Sequence, residues 1–188
     1  MKRFILIAAA AIACAAASAQ TPKFAHVNFN ELIQLMPEMD SARVQSDAAQ
    51  KEASETYQAM IEEFQSKYAQ FEQKQASWTP AVRQSKQNEL SEIQTRIQEF
   101  EQAIQQDLQQ LQSQLMAPIY QKAQEQVNAI AKAGGYIFVF DSSQVLYIDA
   151  SQSKDLTSEA RKALGIPDDR TLESLQAELQ ARAQAQQQ

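Results

Sequence analysis

Few residues in this chain of 188 amino acids could do chemistry. Asp141 and Asp149 flank a predicted strand pair and could approach each other, as two catalytic carboxylates must. His26 is the only histidine and Cys14 the only cysteine, so the sequence offers no set of metal ligands and no nucleophile beside a base. Aspartates at turns more often accept hydrogen bonds from the local backbone. We therefore predict a protein that is not an enzyme and uses no metal or cofactor.

The middle of the chain carries two heptad patterns, in which apolar residues recur at alternating steps of four and three. The first comprises Tyr57, Ile61, Phe64, Tyr68 and Phe71, and the second comprises Leu90, Ile93, Ile97, Phe100 and Ile104. Between them, Pro80 suits only the first position of a helix, with Thr79 as its cap. The sequence thus predicts a long antiparallel coiled-coil hairpin that turns at Trp78, with helices of roughly 57 and 80 Å.

The apolar pattern changes further along the returning helix, where its steps average about 3.7 residues. Pro118 lies in this portion and removes a helical hydrogen bond. We predict that residues 115–119 join the hairpin to the rest of the protein and that Pro118 is a hinge.

Short strands are predicted on both sides of the hairpin. They cover residues 23–29, 136–141 and 145–149, the last two forming a β-hairpin around residues 142–144. A short helix over residues 30–36 follows the first strand, and Gly134 and Gly135 end the returning helix. A strand that is apolar on both faces needs cover on both, which so short a chain provides most simply as a homo-oligomer.

The N-terminus has the features of an export signal: Lys2 and Arg3, an apolar run, and a small-residue site ending at Ala19. We predict a periplasmic protein cleaved after Ala19; a lipoprotein acylated at Cys14 is the alternative. Cleavage changes the formal net charge from -6 to -8, because 15 basic residues then face 23 acidic ones. Such a charge argues against nucleic-acid binding and against simple adhesion to an anionic membrane.

The predicted fold class is mostly α with a small β body, in which a long antiparallel coiled-coil hairpin stands on a short-stranded β oligomerisation core. The predicted parts are a signal peptide (1–19), a body (20–36 and 119–165), a hairpin arm (37–118) and a partly disordered C-terminal extension (166–188). In the extension Leu172, Leu175 and Leu179 form a stripe on a last helix, and the tail from Ala181 is expected to fray.

This order of parts resembles the Skp/OmpH family of periplasmic chaperones. The resemblance is carried by residues 24–28 (FAHVN), 138–141 (FVFD), 145–148 (VLYI) and 154–157 (KDLT), and it extends over about residues 23–165. It implies a homotrimer in which three hairpins surround a cavity that holds unfolded outer-membrane β-barrel proteins. No ATP is implied, and the sequence has no GxxxxGK[ST] phosphate loop. The best-known members are strongly basic, whereas this chain is acidic.

Within this interpretation we predict two sets of functional residues. Met60, Tyr68 and Trp78 would contact the unfolded protein, since methionine and aromatic side chains offer adaptable apolar contacts. Each also has a structural alternative. Met60 would broaden the seam, which is the line of apolar heptad residues between the two helices, Tyr68 would be part of that seam, and Trp78 would lock the turn. The trimer body would comprise Val27, Phe29, Ile137, Val139, Val145 and Tyr147.

Two further hypotheses concern partners. The first is a transient contact with an envelope membrane. The second is an alternative function, a structural coiled-coil scaffold or adaptor of the cell envelope that does not capture unfolded proteins, because the same heptads would serve it.

Overall fold

The computed structural model describes residues 22–185, which fall into two compact units. We call residues 36–121 the arm, and residues 22–35 with 122–185 the body. The helices are α1 (Phe29–Leu35), α2 (Pro37–Lys74), α3 (Pro80–Gly134), α4 (Thr157–Ala163) and α5 (Leu172–Ala185), and the strands are β1 (Lys23–Val27), β2 (Tyr136–Asp141) and β3 (Ser153–Asp155). The predicted signal peptide and Cys14 lie outside the described residues.

The arm is a helical hairpin whose turn forms as the sequence predicts. α2 begins at Pro37 and ends at Lys74, and a short 3₁₀ helix (Gln75–Ser77) follows it. Thr79 then caps the second helix, because its Oγ1 accepts a hydrogen bond from the Val82 N–H at 3.4 Å. Pro80 occupies the first helical position, where its missing N–H is not needed.

Pairs of side chains across the hairpin show that α2 and α3 run antiparallel. Lys67 pairs with Glu89, and Arg96 pairs with Glu63 at 3.3 Å. Residue numbers therefore fall along α2 as they rise along α3. Ile93 of the predicted seam is buried, and so is Ile97. The predicted antiparallel coiled-coil hairpin is confirmed.

The body contains a three-stranded sheet in the order β2-β1-β3, with both outer strands parallel to β1. Ala25 and Val27 of β1 are buried. Other buried side chains come from helices, namely Leu32, Ile33 and Leu35 of α1, Ala123, Val127 and Ala131 of α3, Ala160 of α4 and Leu175 of α5, together with Leu156, Leu164 and Ile166 next to α4. The prediction of a small β body beside long helices is confirmed.

The predicted β-hairpin is wrong, since residues 145–149 form no strand and β3 takes the second place beside β1. One reason is that Asp141 Oδ1 accepts a hydrogen bond from the Ser143 N–H at 3.0 Å, within the 3₁₀ turn that ends β2. A second is that the Leu156 N–H donates to the His26 carbonyl at 2.9 Å, which extends the pairing of β3 with β1.

The first strand is also shorter than predicted, and Phe29 lies at the start of α1. Asn28 ends the strand by acting as a cap: its Oδ1 accepts from the Glu31 N–H at 3.1 Å, and its Nδ2 donates to Glu31 Oε2 at 3.2 Å. The first bond makes Asn28 an N-cap, which stabilises the helical start over a continued strand, and the second holds the Asn28 side chain in place.

Two glycines end helices. Gly135 follows α3 with φ 69°, as predicted, and Gly165 follows α4 with φ 70°. Such backbone conformations are accessible to glycine without a Cβ clash. At the second site the Ile166 N–H donates to the Arg161 carbonyl at 2.9 Å, and Ile166 is buried, which completes a Schellman cap.

The C-terminal extension forms helix α5, which reaches Ala185. Thr171 and Ser174 cap its start reciprocally through two backbone N–H groups, at 3.1 and 2.9 Å. Of the predicted leucine stripe, Leu175 is buried, whereas Leu172 and Leu179 are about 40% exposed.

Candidate functional site

Three phenylalanines form a stacked row on one face of the body's sheet, which we call the aromatic face (Phe24, Phe138 and Phe140). β1 and β2 are paired in a register that sets Phe24 beside Phe138 and His26 beside Phe140. The Phe24 ring lies 6.3 Å from that of Phe138 and 6.4 Å from that of Phe140. Yet Phe138 is 59% exposed and Phe140 44% exposed. The three rings therefore pack against one another, while the outer surface of the row is exposed to solvent.

The segment after β2 adds a second exposed apolar surface, the apolar loop (residues 145–148). Leu146 is fully exposed at 107%, and Tyr147 is 80% exposed. Ile148 is half-buried. A single exposed leucine would need no explanation, but consecutive apolar residues that follow a strand with exposed aromatic rings are typical of a binding surface.

The residues predicted for the trimer body occupy several environments in this unit. Val27 is buried, Phe29 and Val139 are half-buried, and Ile137, Val145 and Tyr147 are exposed. Val27 therefore packs inside the body, while the exposed members are available to another molecule. Their contact with another copy of the chain stays a prediction.

Sequence reasoning did not single out the aromatic face or Leu146. Phe138 and Phe140 are two residues apart, which is the spacing of side chains on one face of a strand. That spacing could have predicted that the two rings share a face of β2. It could not predict the parallel pairing of β1 with β2, which places Phe24 beside these two rings.

The three residues predicted to contact unfolded protein lie in the arm and differ in exposure. Tyr68 is 46% exposed and stacks on Phe64, with ring centroids 6.0 Å apart. A hydrogen bond from its hydroxyl to Glu72 raises the pKa of Tyr68. Met60 is half-buried. These positions leave Tyr68, and part of Met60, accessible to a partner.

Trp78 packs edge-on against Phe71 at the hairpin turn, with ring centroids 5.8 Å apart and planes at 64°. It is half-buried. This geometry favours the interpretation that Trp78 locks the turn, since edge-to-face aromatic pairs stabilise the elements that hold them.

An apolar cleft between the two helices of the arm was not predicted. Its volume is about 150 Å³, and its lining includes Met39, Ala42, Leu115 and Met116. Both methionines are half-buried. Methionine is unbranched and flexible, so such a cleft can change shape to fit different apolar side chains.

The two aspartates considered for catalysis serve local turns instead. Burial raises the pKa of Asp141, but hydrogen bonds from Ser143, Phe29 and Gln144 outweigh it and hold the pKa below its usual value. Asp149 Oδ1 accepts from the Ser151 N–H at 2.9 Å, and bonds from Ser151 lower its pKa as well. Both carboxylates thus accept backbone hydrogen bonds in local turns, as the turn interpretation predicts, and Asp141 also accepts one from the Phe29 N–H at the start of α1.

Residues 22–185 contain no group of three or more histidine, cysteine, aspartate or glutamate side chains that could hold a metal ion. Among the same residues, no helix is both long and apolar enough to cross a membrane.

Comparison with known proteins agrees with the architecture. The family model described as outer membrane protein (OmpH-like) matches residues 23–164, which span β1 through α4. Over 163 residues the chain is 28% identical to the Chaperone protein Skp of Yersinia enterocolitica, an alignment that covers 86% of this chain and 98% of the relative. All of α5 lies beyond the family match.

Proposed function

The chain belongs to the OmpH-like family, and we propose that it is a periplasmic holdase chaperone that works as a homotrimer. In this proposal the arms of three copies surround a cavity, and unfolded outer-membrane β-barrel proteins are kept there from aggregating without the use of ATP. The name of the relative, Chaperone protein Skp, supports the chaperone role at 28% identity. The predicted signal peptide supports the periplasmic location.

The observation that carries the proposal is the uncovered apolar surface of the body. Phe138, Phe140, Leu146 and Tyr147 lie within ten consecutive residues and are all exposed. Leaving that surface in water is unfavourable, at roughly 25 cal/mol for each Å² of apolar area. Copies of the same chain arranged about a closed axis would cover it and would leave no free sheet edge.

Holding an unfolded protein requires weak contacts with many different sequences. Tyr68, Met60 and the cleft between Met39 and Met116 provide such contacts on the arm. None of them forms a deep pocket for one ligand. Three arms around one cavity would combine weak contacts into retention, because each contact raises the effective concentration for the next.

The proposal is tested by mixing residues 20–188 with an outer-membrane β-barrel protein diluted out of urea, and weighing the products by native mass spectrometry. We expect three subunits with one bound β-barrel protein, together with suppressed light scattering. Three subunits beside an aggregated β-barrel protein would contradict the holdase role and support the envelope scaffold. A monomer that holds nothing would contradict both.

A matched pair of variants tests how the function is divided. Tyr68→Ala combined with Met60→Ala should leave the trimer intact and weaken its hold on the β-barrel protein. Phe138→Ala combined with Phe140→Ala should weaken the trimer first and lose holding only as a consequence. Circular dichroism of each variant checks that the helices still form.

A further inference from the structure

We propose that the arm selects what it holds by charge, and that its preferred partners are unfolded segments rich in lysine and arginine. This inference rests on the proposed holdase function and specifies the chemical class of its clients. It comes from the distribution of charged side chains along the arm and from the partners that those side chains already have.

Charge is distributed unevenly along the arm. Residues 64–91, which we call the tip, carry four basic and two acidic side chains. The rest of the arm, residues 36–63 and 92–121, carries three basic and eleven acidic side chains, and we call it the shaft. The formal net charge is therefore +2 for the tip and -8 for the shaft.

The basic residues of the shaft are already engaged within the arm. Arg43 pairs with Asp40 at 3.0 Å, Lys51 with Glu55 at 3.8 Å, and Arg96 with Glu63 at 3.3 Å. Each of the three thus already faces a carboxylate of the arm. An approaching chain therefore meets carboxylates on the shaft.

Five exposed carboxylates of the shaft have no ion pair or hydrogen bond with any described residue. They are Asp47, Glu52, Glu92, Glu99 and Asp107. Glu92 and Glu99 are seven residues apart on α3, which sets them on one face of the helix about 10.5 Å apart. An extended chain covers that distance in about three residues. One extended segment with regularly placed lysines or arginines could thus face both carboxylates.

Electrostatic selection suits a protein whose apolar contacts are weak. Exposed charges act over about 8 Å at physiological salt, so a row of carboxylates attracts cationic segments before any apolar contact forms. In a trimer each shaft contributes its excess of negative charge to the same cavity. Anionic segments would be repelled there, and like-charge contact is an effective way to reject a partner.

The test uses one unfolded protein in two charge states. A reduced and alkylated protein is made anionic by succinylation of its amines, or cationic by amidation of its carboxylates, and each form is titrated with residues 20–188. In 50 mM salt we expect the cationic form to bind at least about 10-fold more tightly, a ratio that falls to about 2-fold in 0.5 M salt. Equal affinity, or tighter binding of the anionic form, would overturn the inference.

The outcomes separate this inference from the function on which it rests. If both forms bind equally well and a β-barrel protein is also held, charge selection fails and the holdase function stands. If neither form binds and the β-barrel protein aggregates, both fail.

Two matched variants assign the preference to the arm. Asp47→Asn, Glu99→Gln and Asp107→Asn remove three charges from the shaft, while Asp168→Asn, Asp169→Asn and Glu178→Gln remove three from exposed positions of the body. The quantity compared is the affinity for the cationic form divided by the affinity for the anionic form. We expect this ratio to fall at least about 3-fold in the shaft variant, and to stay within about 1.5-fold of the natural chain's value in the body variant. Equal losses would mean that net charge alone decides, which would refute selection by the arm.

Discussion

The arm and the body expose apolar side chains in opposite ways. In the arm the exposed ones are single residues far apart in the sequence: Val44, Tyr68, Val82 and Tyr120. In the body most are gathered between Ile137 and Tyr147. Scattered apolar residues are ordinary on a protein surface, whereas a contiguous patch of them marks an interface. In the proposed function, the body would accordingly make one tight contact and the arm many weak ones.

The two units also differ in charge. The arm carries seven basic and thirteen acidic residues, whereas the described part of the body carries eight and ten. Most of the excess negative charge of the chain thus lies in the arm, the unit whose exposed apolar residues are scattered. A charged surface with few apolar contacts stays soluble and binds reversibly.

Charge placed on the aromatic face should have the largest effect. We expect Phe138→Asp with Phe140→Asp to weaken self-association by at least about 1,000-fold, because two carboxylates would have to be buried without partners. Sedimentation velocity measures the change. Tyr68→Asp is the control on the arm and should leave the sedimentation coefficient unchanged; dissociation by that variant would remove the distinction between the two units.

Replacing one packed leucine by alanine in each unit compares how much core packing stabilises the body and the arm. Leu32 of the body is fully buried, whereas Leu108 of the arm is half-buried. Leu32→Ala should lower the free energy of unfolding by about 3 kcal/mol, and Leu108→Ala by about 1 kcal/mol, because a closed site leaves a larger cavity. Urea unfolding followed by circular dichroism gives both values. A larger loss at Leu108 would place the main core of the chain in the arm.

Replacing Pro118 tests the predicted hinge by a substitution within the arm. It lies inside α3, where it removes one backbone donor. Replacement by alanine should stiffen the helix and raise its stability by up to about 3 kcal/mol, while the oligomer stays intact. Spin labels on either side of residue 118 would report a narrower distribution of distances. The same distribution in Pro118→Ala and in the control Ala117→Ser would contradict the hinge.

The smallest effect is expected at Glu89, where hydrogen bonds from Lys67 and Lys86 lower the carboxyl pKa from 4.5 to about 2. A lowered pKa stabilises the folded arm above pH 4.5, and this contribution is lost as the pH falls through about 2. Because these side chains are exposed, Glu89→Gln should change the urea midpoint at pH 7 only slightly. At pH 2 the variant and the natural chain should unfold together; a difference that persists there would point to packing instead of charge.

Sequence alone predicted the features that depend on local chemistry. The heptads, the helix start at Pro80 and the helix end at Gly135 each depend on a few neighbouring residues, and all were confirmed. The export signal lies outside the described residues and stays a prediction.

The sheet was harder to predict because its pairing is not local. β1 pairs with β2 across more than one hundred residues, and the polar segment Ser153–Asp155 forms the third strand in place of the apolar residues 145–149. Strand propensity reflects how well a side chain packs on its neighbours, so it could not identify which segment meets β1. The same limit hid the aromatic face, whose rings come together only through that pairing. For Met60 and Trp78 the heptad pattern left the structural and functional interpretations open.

The division of roles between arm and body is tested most directly by photo-crosslinking. A benzoylphenylalanine is placed at Tyr68 in one protein and at Phe138 in another, and each is irradiated with an outer-membrane β-barrel protein diluted out of urea. We predict crosslinks from position 68 to the β-barrel protein and from position 138 to a second copy of the chain. Crosslinks to the β-barrel protein from position 138, with none from position 68, would contradict the account.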